Sequence, residues 1–295
     1  MKKFIGGAPL IADNCAYYFV DEEIQFEQND EGKMKLKLGS SLYCCDLKKG
    51  QETKIFSISD VSVAKNCYGM LLHDHTIYFI TNTLSRYYDE SGQEIGYGGT
   101  GGYMHLFAFD LSEMKEKDLC SLYDVDKLSE YHPKAPFSGE VYMKGLYNDK
   151  IYFNVGFVTG EEDNYQFYVT YYDLSDGTYH GTPEDYENID FAAVRYVSED
   201  YLVICRDGEA AVYKKHAEQP IVLKDPGFNM DAFLSVFDDT LYCGERIYDL
   251  NTCTARTLDR MQYKSVVAKY GDSYIISDLG MQGNFEKIPA EELLK

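Results

Sequence analysis

The sequence is 295 residues long, with 45% hydrophobic and 26% charged residues, which is enough apolar material for one or two sizeable cores. Asp and Glu number 49 against 28 Lys and Arg, and the resulting net charge of -21 excludes a nucleic-acid surface, because phosphate binding requires clustered cations. The chain has 28 Tyr and 16 Phe but no Trp, and these aromatic residues favour β-sheets over helical bundles.

The N-terminus and the cysteines bear on localisation. The chain begins Met1-Lys2-Lys3 but reaches Asp13 without the apolar stretch of a signal peptide, and no run of 18 apolar residues predicts a transmembrane helix. The eight cysteines are scattered, most of them in apolar strand-like segments, as is typical of reduced cysteines used as small hydrophobic residues. We therefore expect a cytoplasmic protein without a membrane partner.

One pattern occurs six times along the chain: an apolar strand, a tight turn of Asp, Asn or Gly, and a second apolar strand rich in Tyr, Ile and Phe. Each copy predicts a β-hairpin, because such short turns require left-handed backbone angles that these residues adopt readily. The copies are residues 10–19, 71–79, 145–153, 196–204, 236–243 and 269–276.

A strand that ends in Asp-Leu follows four of these hairpins, and a polar turn and another short strand come after it. The four strands are residues 42–47, 106–111, 169–174 and 246–250. The fourth repeat has Val212-Tyr213-Lys214-Lys215 instead, so the fold does not require the motif. Four strands per unit, repeated radially, predict an all-β fold in which residues 1–295 form a single β-propeller domain.

Six hairpins predict six four-stranded blades, and seven blades are the alternative if residues 111–136 contain a further unit. The last repeat runs out of chain after Ile288, which leaves its blade without a fourth strand. We expect the N-terminal strand Lys2–Ile5 to supply that strand and close the ring, because closure removes exposed sheet edges.

The repeat unit, a turn followed by Asp-x-Ile-Tyr-Phe and later by Leu-Tyr-x-x-Asp-Leu, resembles the propeller repeats of the TolB-like and YWTD-like families, especially those of bacterial propeller proteins from Firmicutes. The resemblance covers nearly the whole chain, although the tryptophan of those families is absent. It implies a ring that is used mainly to bind proteins or peptides.

The extra length of the chain lies in three loops that join the second and third strands of blades one to three: Asp21–Gly39, Asn82–Gly102 and Val155–Asn164. In blade one, apolar and charged residues alternate from Glu23 to Leu38, which predicts a projecting β-hairpin with one buried face. The corresponding loops of blades four and five have only about two residues, so the predicted ring is lopsided.

All three inserts open with acidic residues and carry tyrosines. We expect neighbouring blades to gather them into one acidic, tyrosine-rich crest that binds a protein or peptide with a basic surface, with a carbohydrate as the alternative ligand. The competing interpretation is that these are ordinary solvent-exposed loops of an acidic protein. The candidate binding residues are Asp21, Glu22, Glu23, Tyr87, Tyr88, Asp89, Glu90, Tyr97, Glu161, Glu162, Asp163 and Tyr165.

Two short motifs suggest chemistry but fit turns better. His73-Asp74-His75 contains possible metal ligands, yet it occupies the hairpin turn of its repeat, so we expect no metal there. Residues 96–101 match the glycine pattern of a dinucleotide-binding loop, but a strand-like segment follows where the mechanism requires a helix. We therefore expect a hairpin tip and no cofactor.

The alternative function is a carbohydrate-active or other small-molecule enzyme with a carboxylate site at the mouth of the central channel. Asp21, Asp89 and Glu162 are the candidate carboxylates for such a site. No phosphate-binding loop and no nucleophile elbow occurs in the sequence. A non-catalytic binding module is favoured, because catalysis requires a constellation of residues that the sequence does not display.

Overall fold

A computed structural model describes most of the chain. The described residues are 5–21, 25–28, 34–37, 40–57, 69–82, 85–88, 94–98, 104–123, 139–159, 164–180, 194–206, 208–224, 234–258, 261, 264–278 and 285–294. Nearly all of them are in β-strands or in the tight turns between strands. The helix in the described part of the chain is too short to span a membrane.

The strands of blades one and two and of their inserts are β1 (Ile5–Ala12), β2 (Cys15–Asp21), β3 (Gln25–Gln28), β4 (Met34–Lys37), β5 (Ser40–Asp46), β6 (Gln51–Ser57), β7 (Met70–His73), β8 (Thr76–Asn82), β9 (Ser85–Tyr88), β10 (Glu94–Gly98), β11 (Met104–Asp110) and β12 (Lys115–Tyr123). Those of blades three and four are β13 (Gly139–Tyr147), β14 (Lys150–Thr159), β15 (Asn164–Asp173), β16 (Thr178–His180), β17 (Val194–Val197), β18 (Tyr201–Arg206), β19 (Glu209–Lys214) and β20 (Ile221–Lys224). Those of blades five and six are β21 (Leu234–Phe237), β22 (Thr240–Cys243), β23 (Arg246–Asp249), β24 (Thr254–Thr257), β25 (Lys264–Tyr270), β26 (Ser273–Asp278) and β27 (Phe285–Pro289), and the short helix α1 (Ala290–Leu293) follows.

The fold is a six-bladed β-propeller, as the six hairpins predict. Five blades are four-stranded antiparallel sheets, with the orders β1-β2-β5-β6, β7-β8-β11-β12, β13-β14-β15-β16, β17-β18-β19-β20 and β21-β22-β23-β24. Blade six contains β25-β26-β27 within the described residues. The first strands of the blades (β1, β7, β13, β17, β21 and β25) contact one another in that sequence, and they form the innermost wall of the ring.

The ring closes where β1 lies against β25. Tyr18 and Ala16 of blade one pack there with Ile275 of blade six in one buried cluster. The hydroxyl of Tyr270 donates a hydrogen bond to Asn14 across the same junction. The first and last blades thus meet through their innermost strands, but the expected pairing of Ile5 with the last blade is wrong, because Ile5 pairs with Phe19 in blade one. Residues 2–4 lie outside the described part of the chain.

Five of the six hairpin turns contain residues with positive φ, as their Asp, Asn and Gly residues predict, whereas the turn of blade four at Glu199-Asp200 has none. In three of them both φ values lie near +55°, with 45° and 63° at Asp74-His75, 49° and 59° at Asn148-Asp149, and 50° and 55° at Asp238-Asp239. These angles match the type I′ turn that joins twisted antiparallel strands. His73-Asp74-His75 is therefore a turn, as predicted.

A backbone hydrogen bond at each third strand ties the blade to its own hairpin turn. In every blade the residue directly after the third strand donates its N–H to a carbonyl oxygen of that turn, at 2.7 to 3.0 Å. The six bonds run from Leu47 to Asn14, Leu111 to His75, Leu174 to Asp149, Lys215 to Asp200, Leu250 to Asp239 and Ala290 to Asp272. Blade four keeps this bond without Asp-Leu, which explains why the motif is dispensable.

The Asp of the Asp-Leu motif shapes the turn that follows it. Asp46 accepts hydrogen bonds from the backbone N–H groups of Lys48 and Lys49, at 2.9 and 3.0 Å. Asp110 and Asp249 do the same in their own blades, and Asp173 accepts one such bond, from the N–H of Ser175. A side-chain oxygen that replaces a backbone acceptor in this way favours the turn over continued strand. The bonds from Lys49 and Lys48 also lower the pKa of Asp46.

Candidate functional site

The inserts of blades one and two join into one four-stranded sheet outside the blades. In blade one β3 pairs with β4, in blade two β9 pairs with β10, and β4 pairs with β9 across the two blades. We call the resulting sheet, in the order β3-β4-β9-β10, the insert sheet. Its central register sets Met34 opposite Tyr88 and Leu36 opposite Arg86. The two inserts are thus a single structural element that links neighbouring blades.

The register of the insert sheet sorts its residues onto two different faces, because alternate residues of a strand lie on opposite faces. One face has an aromatic and apolar majority, with Phe26, Gln28, Met34, Leu36, Arg86, Tyr88, Glu94 and Tyr97. The other face is polar, with Gln25, Glu27, Lys35, Lys37, Ser85 and Tyr87 besides Gly96 and Gly98. The predicted alternation of blade one therefore extends across both inserts.

The structure places five of the twelve candidate residues. Asp21 is the last residue of β2, Tyr87 and Tyr88 lie in β9, Tyr97 lies in β10, and Tyr165 lies in β15. The three tyrosines of blade two thus share one sheet, with Tyr88 and Tyr97 on the same face. The remaining seven, Glu22, Glu23, Asp89, Glu90, Glu161, Glu162 and Asp163, lie outside the described residues, so the acidic part of the crest stays a prediction.

Blade three differs from the predicted arrangement. The segment Val155–Asn164 is no separate insertion, because β14 runs on to Thr159 and β15 begins at Asn164. The two strands stay paired to their ends, with Tyr165 opposite Val158. Tyr165 therefore belongs to the sheet of blade three, and the insert sheet combines blades one and two only, as far as the described strands show.

Basic residues on the insert sheet were not among the sequence candidates. Lys35 and Lys37 lie in β4, and Arg86 lies in β9. The sequence signal for the lysines was the strict alternation Lys33-Met34-Lys35-Leu36-Lys37-Leu38, which places them on the face opposite the apolar residues.

The described residues of the motifs that suggested cofactor chemistry lie in strands and turns. Gly96 to Gly98 belong to β10, and the next described element is the strand β11. A pyrophosphate would need a helix N-terminus after such a loop. In the described portion of the chain, no three His, Cys, Asp or Glu side chains are close enough together to hold a metal ion. Of the alternative catalytic carboxylates, Asp21 ends β2, whereas Asp89 and Glu162 lie outside the described residues.

The cysteines are poorly suited to nucleophilic chemistry. The seven described cysteines are free thiols, and Cys45 and Cys243 are buried. Burial raises the pKa of Cys120 to about 12 and also raises the pKa of Cys205. Because the thiolate is the reactive form, a raised pKa removes nucleophilic character at neutral pH. These four cysteines pack in hydrophobic clusters as small hydrophobic side chains, as the sequence predicts, whereas Cys253 is exposed.

Acidic residues at the hairpin turns connect neighbouring blades. Asp239 of blade five accepts hydrogen bonds from Lys214 and Tyr201 of blade four, at 2.7 and 2.6 Å. The bond from Lys214 is the main reason why the pKa of Asp239 is lowered. Asp238 forms an ion pair with Lys269 of blade six. Part of the negative charge thus has a structural role at the end of the ring where the hairpins turn.

No protein-family model and no curated protein matches the chain. Among solved structures, it is similar to Hsv2 of Kluyveromyces marxianus, with 13% identity, 88% of this chain and 76% of that chain covered, and a TM-score of 0.39. It is also similar to the GH32 β-fructofuranosidase BmSUC1 of Bombyx mori, with 10% identity, 98% and 72% covered, and a TM-score of 0.38. A third similar structure is the β-propeller domain of the Trilobed protease of Pyrococcus furiosus, with 10% identity and a TM-score of 0.28. The match covers 98% of this chain and 95% of that chain. Similarities of this size carry no functional argument, so the strand order and the closure of the ring identify the chain as a six-bladed β-propeller.

Proposed function

We propose that the protein is a non-catalytic binding module that recognises a protein or peptide through the insert sheet. The observation that carries this proposal is the pairing of β4 with β9, which turns two separate inserts into one four-stranded sheet. Two-stranded hairpins are marginally stable alone, whereas a four-stranded sheet holds a defined surface. The chain thus has an element outside the blades that the propeller itself does not require.

The composition of the insert sheet supports a protein ligand. Phe26, Met34, Leu36, Tyr88 and Tyr97 share one face, and aromatic residues and Met are the residue types enriched in protein interfaces. The net charge of the chain is -21, so its overall field attracts a basic partner and repels an acidic one. The proposed partner is therefore a basic or hydroxyl-rich protein segment.

The acidic residues that open the inserts fit the same proposal. Glu22, Glu23, Asp89 and Glu90 lie in the sequence immediately beside strands of the insert sheet, and Asp21 ends β2. Opposite charges around an interface mainly increase the rate of association and the selectivity for the partner. In this proposal the acidic residues steer the partner and the aromatic face supplies the contact area.

Trimming each insert separately tests the proposal. Asp21 pairs with Ser40 and Asn82 pairs with Met104, so residues 22–39 or residues 83–103 can each be replaced by a two-residue Asn-Gly turn that fits the remaining ladder. Both variants keep all strands of their blades. Shortening a surface loop changes the closure entropy only slightly, so we expect both to remain folded.

The probe is a displayed library of random peptides selected on the full-length protein, followed by calorimetry with the enriched peptides. We expect Lys- and Arg-rich or Ser- and Thr-rich sequences, binding that weakens as salt is added, and loss of binding in each trimmed variant, because either trimming destroys the insert sheet. The matched control replaces residues 160–163 by Asn-Gly between the paired residues Thr159 and Asn164. This variant lacks the candidate residues Glu161, Glu162 and Asp163, and it should keep binding if the insert sheet alone forms the contact; a loss of binding would instead assign these acidic residues to the site. Peptides that bind both trimmed variants as well as the wild type would place the site elsewhere.

A further inference from the structure

Two basic residues occupy equivalent positions on the innermost strands of blades three and four. In β13, Met143 pairs with Phe153 and Gly145 with Tyr152, so Lys144 is the extra residue of a β-bulge. In β17, Val194 pairs with Ile204 and Tyr196 with Val203, which makes Arg195 the extra residue there. A bulge leaves its extra residue out of the ladder and redirects its side chain.

The two bulges lie close together at the wall of the central channel. β13 and β17 are neighbours in the ring of innermost strands. They approach so closely that a Cβ atom on Gly145 would lie 2.1 Å from the carbonyl oxygen of Val197. Lys144 and Arg195 are both half-buried. The pKa of Lys144 is lowered, first by burial and then by the positive charge of Arg195, so the two cations interact electrostatically.

The apolar residues of blade three explain why a charged side chain stands at the bulge. On one side of the sheet Val141, Met143 and Leu146 pack into the cluster shared with blades one and two. On the other side Tyr147 and Tyr152 pack against blade four. A lysine would be costly in either cluster without a partner. The bulge, at the unpaired edge of the innermost strand, is the position where its charge is tolerated.

The fold itself does not require cations at these positions. Blade six has the same bulge between Val266 and Ala268, and its extra residue is Val267. The structure gives Lys144 no ion pair within its described residues. A half-buried lysine without an ion pair loses hydration, and the nearby positive charge of Arg195 adds to the cost of keeping it charged, which destabilises the folded chain. A residue that weakens the fold where an apolar one would serve indicates a function.

We propose that Lys144 and Arg195 bind a small oxyanion with at least two negative charges, a phosphate or a dicarboxylate, at the channel wall between blades three and four. The planar guanidinium suits bidentate hydrogen bonding to two oxygens of such a ligand, and the ammonium adds a compact point charge. The bound anion neutralises the repulsion between the two cations. The ligand therefore stabilises the junction between the two blades as it binds.

Thermal unfolding of the full chain in different anions tests the proposal, with chloride as the reference at equal ionic strength. Inorganic phosphate and succinate are the probes. We expect one of them to raise the Tm by about 2–4 °C when it is present at about five times its Kd. The more effective anion identifies the ligand as phosphate-like or carboxylate-like. Calorimetric titration of the same anion measures the affinity directly.

Lys144→Met distinguishes a ligand-binding lysine from a structural one. We expect this variant to melt at or above the wild-type temperature in chloride, because a half-buried charge is removed, and to lose the anion-dependent rise and at least tenfold in affinity. Lys115→Met is the matched control, since it removes the same charge from an exposed side chain paired with Glu113, and it should keep the rise. Arg195→Gln provides a second variant, in which the rise should also disappear.

The opposite results overturn the proposal. An anion-dependent rise that persists in both Lys144→Met and Arg195→Gln would place the anion elsewhere on the protein. Equal melting temperatures of the wild type in phosphate, succinate and chloride, together with no heat of binding, would show that the two residues bind no such ligand.

Discussion

Gly145 lies at a close approach between blades three and four, and its replacement tests how the ring is held together. Its φ is +146°, and a Cβ atom there would lie 2.1 Å from the carbonyl oxygen and 2.9 Å from the carbonyl carbon of Val197. Non-bonded carbon atoms pack at about 3.5 Å, so Gly145→Ala forces β13 and β17 roughly 1 Å apart. The backbone of Val197 is held in its own sheet and cannot move aside alone.

The magnitude follows from the side chains between the two blades. Val194, Val197, Tyr147, Tyr152, Leu202 and Ile204 pack together there. Burial of each contributes about 1.5–3 kcal/mol, and a gap approaching 1 Å forfeits a quarter or more of the packing attraction. The separation then costs about 3 kcal/mol, and an alanine at this φ adds about 1 kcal/mol of backbone strain. We expect Gly145→Ala to lower the free energy of unfolding by about 4 kcal/mol and the Tm by about 10 °C.

Gly271→Ala is the matched control for this prediction. It introduces the same methyl group at a φ of +54°, but nothing lies within 4 Å of the new Cβ atom. Only the backbone strain remains, so about 1 kcal/mol should be lost. Urea unfolding of the wild type and both variants measures the difference. Equal losses in the two variants would refute the close contact between blades as the reason for glycine at position 145.

Two further predictions concern turns. Met114 has a φ of +54° at the turn position that Gly50 and Gly177 fill in blades one and three. Met114→Gly should therefore raise the free energy of unfolding, measured by urea titration, by about 0.5–1 kcal/mol. Met114→Ala keeps a Cβ atom and should not raise it. The pKa of Asp239 is lowered by its hydrogen bonds from Lys214 and Tyr201. Its negative charge therefore stabilises the fold fully at pH values above the ordinary aspartate pKa of about 3.9. This stabilisation is lost as the pH falls through the lowered pKa of Asp239 in the folded protein. Asp239→Asn should therefore destabilise the protein at pH 7 and much less near pH 2–3, and a difference that is independent of pH would contradict the role of the charge.

The number and kind of blades could be predicted from sequence because the responsible interactions are local. A pair such as Asn148-Asp149 specifies a tight turn through its own backbone preferences, and the alternating strands beside it are a few residues away. Asp-Leu marked the end of the third strand for the same reason, since Asp46 bonds to residues two and three positions further on. Six repeats of such local signals are sufficient to recognise a propeller.

The insert sheet could not be predicted because its central pairing is long-range. Alternation in residues 23–38 identifies a hairpin with two different faces, but it does not identify the partner of that hairpin. The pairing of Met34 with Tyr88 requires two blades to be placed side by side first. The cations at the channel wall were missed for a related reason. A bulge shifts the register by one residue, so Lys144 and Arg195 do not stand out in the two-residue period of their strands.

The bond from the third strand to the hairpin turn bears on how such a propeller can diverge. The donor and the acceptor are both main-chain atoms, and the donors are Leu, Lys and Ala in different blades. The turn residues range from Asp-Asp to Asp-His, and blade four makes the same bond from a turn without left-handed angles. Selection that preserves this architecture therefore leaves most side chains free to change. Two propellers can descend from one ancestor and lose all detectable similarity in sequence, and each can still keep the six main-chain hydrogen bonds between third strand and hairpin turn.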